Sequence, residues 1–140
     1  MYHLTLPNDI ETISQLNEFI DGFCEETGIS KDVCMSLNLA IEEAVVNVMN
    51  YAYPMGTVGY VDIEAEADKK VVTFVISDTG QPFDPTKEAD ADITLPAEKR
   101  PVGGLGIHLV RHIMDSISYE YADHRNILTL RKKFNKQEVL

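Results

Sequence analysis

The sequence contains no apolar run near the roughly 18–20 residues that a helix needs to cross a bilayer, so no membrane span is expected. It opens Met1-Tyr2-His3-Leu4, without a basic segment leading into an apolar stretch, and a secretory leader is not expected either. Cysteine is scarce: Cys24 and Cys34 lie ten apart with no CxxC pairing. That excludes a disulfide scaffold and predicts two reduced, partly buried thiols in a cytoplasmic protein. Positive charge is also short, with 12 Lys and Arg against 23 Asp and Glu and a formal net charge of −11. A chain of that balance is not a general nucleic-acid binder, because phosphate backbones need a basic patch, and it does not dock on anionic lipid. Its acidity either aids solubility or offers a face to a basic protein partner. Two common nucleotide signatures are missing as well: there is no Walker A pattern and no GxGxxG fingerprint in a βαβ unit.

What is present reads as one soluble domain over residues 1–140, with 44% apolar and 25% charged residues and no internal repeat. Tyr2 to Leu6 predict a short strand. Asn8 or Asp9 can cap a helix carrying Ile10, Ile13, Leu16, Phe19, Ile20 and Phe23, which Gly28 stops. Ser30 is the candidate cap of a second helix running to about Tyr53, before Pro54. Val61, Ile63, Ala65 and Ala67 alternate with polar residues and predict a strand with one wet side. The nearly unbroken apolar run Val71 to Ser77 predicts a central strand covered on both faces. From Gly80 to Gly104, four prolines and few large apolar residues predict a long surface segment of the kind that forms lids. Helical pattern resumes at Leu105, and a hairpin follows: Ile117 to Tyr121, a turn at Asp123 to Asn126, then Ile127 to Phe134. The order implies an α/β (α+β) two-layer sandwich, a mixed sheet with helices on one face. The basic run Arg131-Lys132-Lys133 reads as an exposed charged edge or a local docking spot.

Three short stretches carry chemistry. On the second helix Leu37, Ala40, Ile41, Ala44, Val45 and Val48 form the core stripe, and Glu43, Asn47 and Asn50 form a separate polar row. A carboxylate and an amide one turn apart suit a magnesium–nucleotide site: Asn47 can offer an oxygen ligand and Glu43 can accept a proton from an attacking hydroxyl. Taken alone, the same row also reads as a solvated helix face. Asp78 follows Phe74 and Ile76 on one strand face, so its carboxylate points with apolar side chains and needs a donor such as an adenine amino group. Gly80 would let a base come close to the backbone. An ordinary turn after a strand gives the same Asp-Thr-Gly. Gly103-Gly104-Leu105-Gly106 leads into the third helix, whose free amides make an anion site, with Lys99 and Arg100 just upstream. His108 and His112, at i and i+4, lack a third metal ligand and read as packing or surface residues.

In this order the stretches resemble the GHKL (Bergerat-fold) ATP-binding superfamily. Glu42-Glu43-Ala44-Val45-Val46-Asn47 resembles its N box and Asp78-Thr79-Gly80-Gln81-Pro82-Phe83-Asp84-Pro85 its G1 box. Arg100-Pro101-Val102-Gly103-Gly104-Leu105-Gly106-Ile107-His108-Leu109-Val110 resembles its G2 box. The resemblance runs over about residues 4 to 134 and is nearest in flavour to the anti-sigma-factor serine/threonine kinases. It implies the Bergerat fold, ATP and Mg²⁺ as cofactors, Glu43 as general base and Asn47 as Mg²⁺ ligand. It further implies Asp78 and Gly80 at adenine, a lid over about residues 84–104, and Arg100, Gly103, Gly104, Leu105 and Gly106 near the phosphates. The implied partners are a STAS-like antagonist protein as phosphate acceptor, a sigma factor as competitor, and a second copy in a homodimer. Tyr51, where many such kinases have histidine, and Glu42, where a small residue is frequent, depart from the pattern. A nucleotide-gated binding module with little catalysis is the alternative function. A sensor histidine kinase domain fits less well, since no helix with an acceptor histidine precedes the N box.

Overall fold

The computed structural model describes residues 1–54, 56–87 and 104–134, and of 104–106 only the backbone. Strand β1 (Tyr2–Pro7) leads through a short 3₁₀ turn (Ile10–Thr12) into helix α1 (Ile13–Thr27) and helix α2 (Lys31–Tyr51). Strands β2 (Tyr60–Ala67) and β3 (Val71–Asp78) follow, then, after the undescribed stretch, helix α3 (Gly104–Ile113) and the hairpin β4 (Ser116–Ala122) and β5 (Arg125–Lys133). The punctuation is local chemistry. Asp9 accepts a hydrogen bond from the Glu11 amide at 3.0 Å and starts the 3₁₀ turn. Gly28 ends α1 in the left-handed region at φ 73°, and the Ser30 hydroxyl caps α2 through the Val33 amide.

The five strands are ordered β1-β2-β3-β5-β4, and every neighbouring pair is antiparallel. The two-layer α+β arrangement is therefore as expected, but the sheet is not mixed: β1 and β5 reach β2 and β3 as antiparallel partners, so no parallel crossover is needed. One sheet face is buried under the helices through Val61 and Ile63, Val72, Phe74 and Ile76, and Leu128 and Leu130. Phe23 of α1 stands edge-on between Phe74 (5.6 Å) and Tyr2 (5.0 Å). Each such fully buried apolar side chain contributes on the order of 1.5–3 kcal/mol.

Among the described residues the other face carries no helix. Along β3 its residues Val71, Thr73, Val75 and Ser77 are only half-buried, so the central strand is covered on one face, not two. There Asp62 accepts from the Arg125 guanidinium at 2.7 Å and from the Thr5 hydroxyl at 2.6 Å, which tie β5 and β1 to β2. These partners outweigh partial burial and hold its carboxyl below the usual range. The basic run on β5 is not a sheet edge, because β5 lies between β3 and β4. Lys132 turns inward and donates to the Ile113 carbonyl at 2.9 Å, where a cation complements the C-terminal end of α3.

The β4–β5 turn is shorter than the sequence implies. Asp123 (φ 53°) and His124 (φ 62°) both take left-handed backbone, so a two-residue turn closes the hairpin and Ala122 pairs with Arg125. Asn126 accordingly belongs to β5, opposite Asp78 of β3.

Candidate functional site

The core stripe of α2 is buried as its spacing requires, from Leu37 through Val48. On the neighbouring row Glu43 is half-buried, Asn47 is buried and Asn50 is exposed. The row is therefore not a uniformly solvated helix face, because its middle member is enclosed. Asn47 lies five residues before Ala52, roughly 7.5 Å along a helix axis, and Ala52 is where the loop after β3 docks.

That docking is dense. The Gln81 amide donates to the Ala52 carbonyl at 2.7 Å, and the Gln81 side chain donates to the Tyr51 carbonyl at 2.9 Å. The Tyr53 hydroxyl donates to the Tyr60 carbonyl and accepts from the Thr79 amide. The Phe83 ring lies 5.3 Å from that of Tyr51. Gly80 owes its identity to this contact: a Cβ there would stand 2.3 Å from the Ala52 carbonyl oxygen and 2.7 Å from its carbon. Both obstacles are backbone, so neither can swing away. Gly80→Ala is expected to lower stability by about 2–3 kcal/mol, in the range of overpacking, as a drop in denaturation midpoint. An unchanged midpoint would mean that the loop shifts freely.

Asp78 is 1% exposed and lies at the inner end of β3. Its Oδ1 accepts from the Gly80 amide at 2.8 Å and from Asn126 Nδ2 at 2.9 Å. Its Oδ2 is buried without a hydrogen-bond partner among the described residues. Burial pushes the carboxyl pKa up, and Asn126, the Gly80 amide and the Arg125 charge only partly offset it. A buried carboxylate oxygen left unpaired costs more than about 1–3 kcal/mol. An N–H brought to this oxygen would supply the donor that the described residues do not.

Asn126 is the residue that sequence reasoning missed. It is buried, and all four of its hydrogen-bonding positions are filled. Nδ2 donates to Asp78 and to the Gln81 carbonyl at 2.9 Å, while Oδ1 accepts from the Phe83 amide at 3.0 Å and from the Tyr119 hydroxyl. Period two counted back from Leu130 and Leu128 places a polar residue on the core face at 126; that was the available signal.

Gly104, Leu105 and Gly106 form the first turn of α3, which packs beside α2. Gly103, Lys99 and Arg100 lie outside the described residues, as do residues 88–103 of the lid expected over about 84–104. Of the described residues just after β3, Pro85–Lys87 form a 3₁₀ turn with Pro85 buried, and Arg111 of α3 donates to the Thr86 carbonyl at 2.6 Å. His108 and His112 are exposed with stacked rings, and no cluster of metal-binding side chains occurs among the described residues. Both cysteines are free. They line a groove of about 670 Å³ between α1 and α2, and burial raises both thiol pKa values.

A family model described as the histidine kinase-like ATPase domain matches residues 6–132. The chain belongs to this family. Among curated relatives, the serine/threonine-protein kinase BtrW of Bordetella bronchiseptica is 30% identical over 95 residues, 68% of this chain and 67% of that protein. The serine-protein kinase RsbW of Bacillus cereus is 26% identical over 97% of this chain and 86% of its own length. RsbW of Staphylococcus aureus is 28% identical over 97% and 88%. Among solved structures, the mycobacterial sensor histidine kinase MprB superposes with a TM-score of 0.54 at 16% identity, covering 96% of this chain and all of that one. That likeness concerns the fold alone. Among the described residues, no helix of this member of the family is long and apolar enough to cross a membrane.

Proposed function

We propose that this chain binds Mg²⁺–ATP and transfers the γ-phosphoryl group to a serine or threonine hydroxyl of a small regulatory protein. The observation that carries the nucleotide half is the buried Asp78 Oδ2, which has no partner among the described residues and which an adenine amino group would satisfy. In this reading Gly104, Leu105 and Gly106 offer backbone amides to the phosphates at the start of α3. Gly103 and Arg100 lie just upstream in sequence and complete the phosphate set. Gly80 keeps the loop beside the base docked on Ala52. Asn47 would hold Mg²⁺ through its side-chain oxygen, and the metal would neutralise charge on the phosphates.

The transfer half rests on Glu43 and on the serine-kinase names of the relatives. Glu43 takes the proton from the acceptor hydroxyl, the hydroxyl oxygen bonds to the γ-phosphorus, and the bond to the β-phosphate oxygen breaks to release ADP. The acceptor that fits the RsbW likeness is a STAS-like antagonist protein, with a sigma factor as competing partner and a homodimer as the working form. Incubation with γ-labelled ATP, Mg²⁺ and candidate partners tests the reading. Label on a partner serine or threonine is the expected result. ATP-dependent binding without label would instead make the protein a nucleotide-gated binding module. Saturating Mg²⁺–ATP is also expected to raise the melting temperature, by about 2.7 kcal/mol of stabilisation at a hundredfold excess over Kd; no shift would remove ATP from the account.

A further inference from the structure

We propose that Asn126 is the specificity-determining positioning residue of the nucleobase pocket, fixing Asp78 so that the pocket takes a 6-amino purine and rejects a 6-oxo purine. The proposal rests on the ATP reading above. Asn126 does not itself meet the base, because both its N–H groups and its carbonyl oxygen are committed to Asp78, Gln81, Phe83 and Tyr119. It acts through Asp78. By donating to Oδ1, beside the Gly80 amide, it fixes the rotation of the carboxylate and leaves Oδ2 without a partner among the described residues. A donor on Oδ1 also favours the charged form, in which Oδ2 can only accept. An accepting Oδ2 pairs with the amino group of adenine and faces the 6-oxygen of hypoxanthine or guanine acceptor to acceptor. A protonated Oδ2 would reverse that preference.

The same amide reaches beyond the acid. Through Gln81 and Phe83 it holds the loop that runs from Asp78 towards the 3₁₀ turn at Pro85, and through Tyr119 it ties in β4. The groups acting on the Asp78 charge come from each neighbouring strand. Arg125 of β5 is itself held by Asp62 of β2 and Ser77 of β3, and Tyr119 of β4 is a phenol whose pKa is raised by burial. Tyr53, past the end of α2, faces the adjacent Thr79 amide. Asn126 is the side chain of this set that hydrogen-bonds the carboxylate directly, beside the backbone amide of Gly80.

Equilibrium binding of ATP and ITP, which differ at position 6 of the base, is measured between pH 5 and 8 for the wild type and Asn126→Leu. The wild type is expected to prefer ATP throughout, with the preference shrinking at the acid end as Asp78 gains a proton. In Asn126→Leu the ATP-to-ITP ratio falls at least tenfold at pH 6, and its acid decline begins about one pH unit or more higher, one unit being a tenfold change. Titration of the ligand phosphates is common to both nucleotides and cancels in the ratio. Should the leucine variant not fold, Asn126→Ser, which keeps one short donor, is expected to move both readouts in the same direction by a smaller amount. A folded variant with unchanged ratio and unchanged pH midpoint, even with a lowered melting temperature, would make Asn126 merely structural and overturn the proposal. A wild type that binds ATP without preferring it to ITP would overturn the proposal and leave ATP binding standing. A wild type that binds neither removes the ATP reading itself.

Discussion

Glu43→Gln is expected to slow phosphoryl transfer by roughly 10²–10⁴-fold, the usual contribution of a general base, while ATP affinity stays within about threefold. The substitution keeps shape and helix propensity and removes only the ability to take a proton. Glu43 sits on the polar row of α2, beside but not in the stripe from Leu37 to Val48 that fixes the helix on the sheet. Packing should therefore be untouched and the melting temperature of the variant should match the wild type. Single-turnover transfer of label to the acceptor protein and separate equilibrium binding of ATP divide the two functions. Loss of transfer at constant affinity places Glu43 in the chemical step. Transfer at the wild-type rate would remove it from the mechanism. A matched loss of affinity would instead make it a ligand for the nucleotide.

The local grammar of the fold was legible in the sequence because it is written in single side chains. Ser30 as cap, Gly28 in left-handed backbone and the two rows of α2 all occupy the positions that spacing implied. What stayed hidden depends on which strand lies beside which. The apolar run Val71 to Ser77 says that β3 is central, but only the burial of alternate residues in the fold shows that one side is half-open. Arg131-Lys132-Lys133 looks like an edge until β4 is seen beyond it and Lys132 is found at the end of α3.

Within the site the same division holds. Glu43, Asn47 and Asp78 stand out by periodicity against apolar neighbours. Asn126 does not, because a turn assigned over Asp123 to Asn126 hides that left-handed backbone at Asp123 and His124 returns residue 126 to the strand. At Gly80 the sequence implies room for a base beside the backbone, and the packing adds a second reason that no spacing shows: the missing side chain makes room for the Ala52 backbone.

Asp78→Asn is expected to weaken ATP binding by two to three orders of magnitude, about 3–4 kcal/mol, and to stabilise the ligand-free protein at neutral pH. Both follow from one rearrangement. The asparagine oxygen can keep the bonds from the Gly80 amide and Asn126, which leaves an NH₂ group where Oδ2 was. Adenine would then meet donor with donor, whereas a 6-oxo purine would find its complement, so ITP should bind the variant better than ATP. The stability gain has a defined pH window. The folded-state pKa of Asp78 lies above its unfolded value because of burial, so between those two values the native state holds more protons than the unfolded one. The contribution of Asp78 to stability therefore falls as pH rises through the window, and above it the buried charge is a full cost. Replacing it with a neutral amide removes that cost, so the variant's advantage in denaturant unfolding should be largest at pH 7 and shrink as pH falls through the folded pKa. A variant less stable than the wild type at pH 7 would mean that Asp78 is already paired in the ligand-free protein. In that case Oδ2 is not the acceptor that recognises the base.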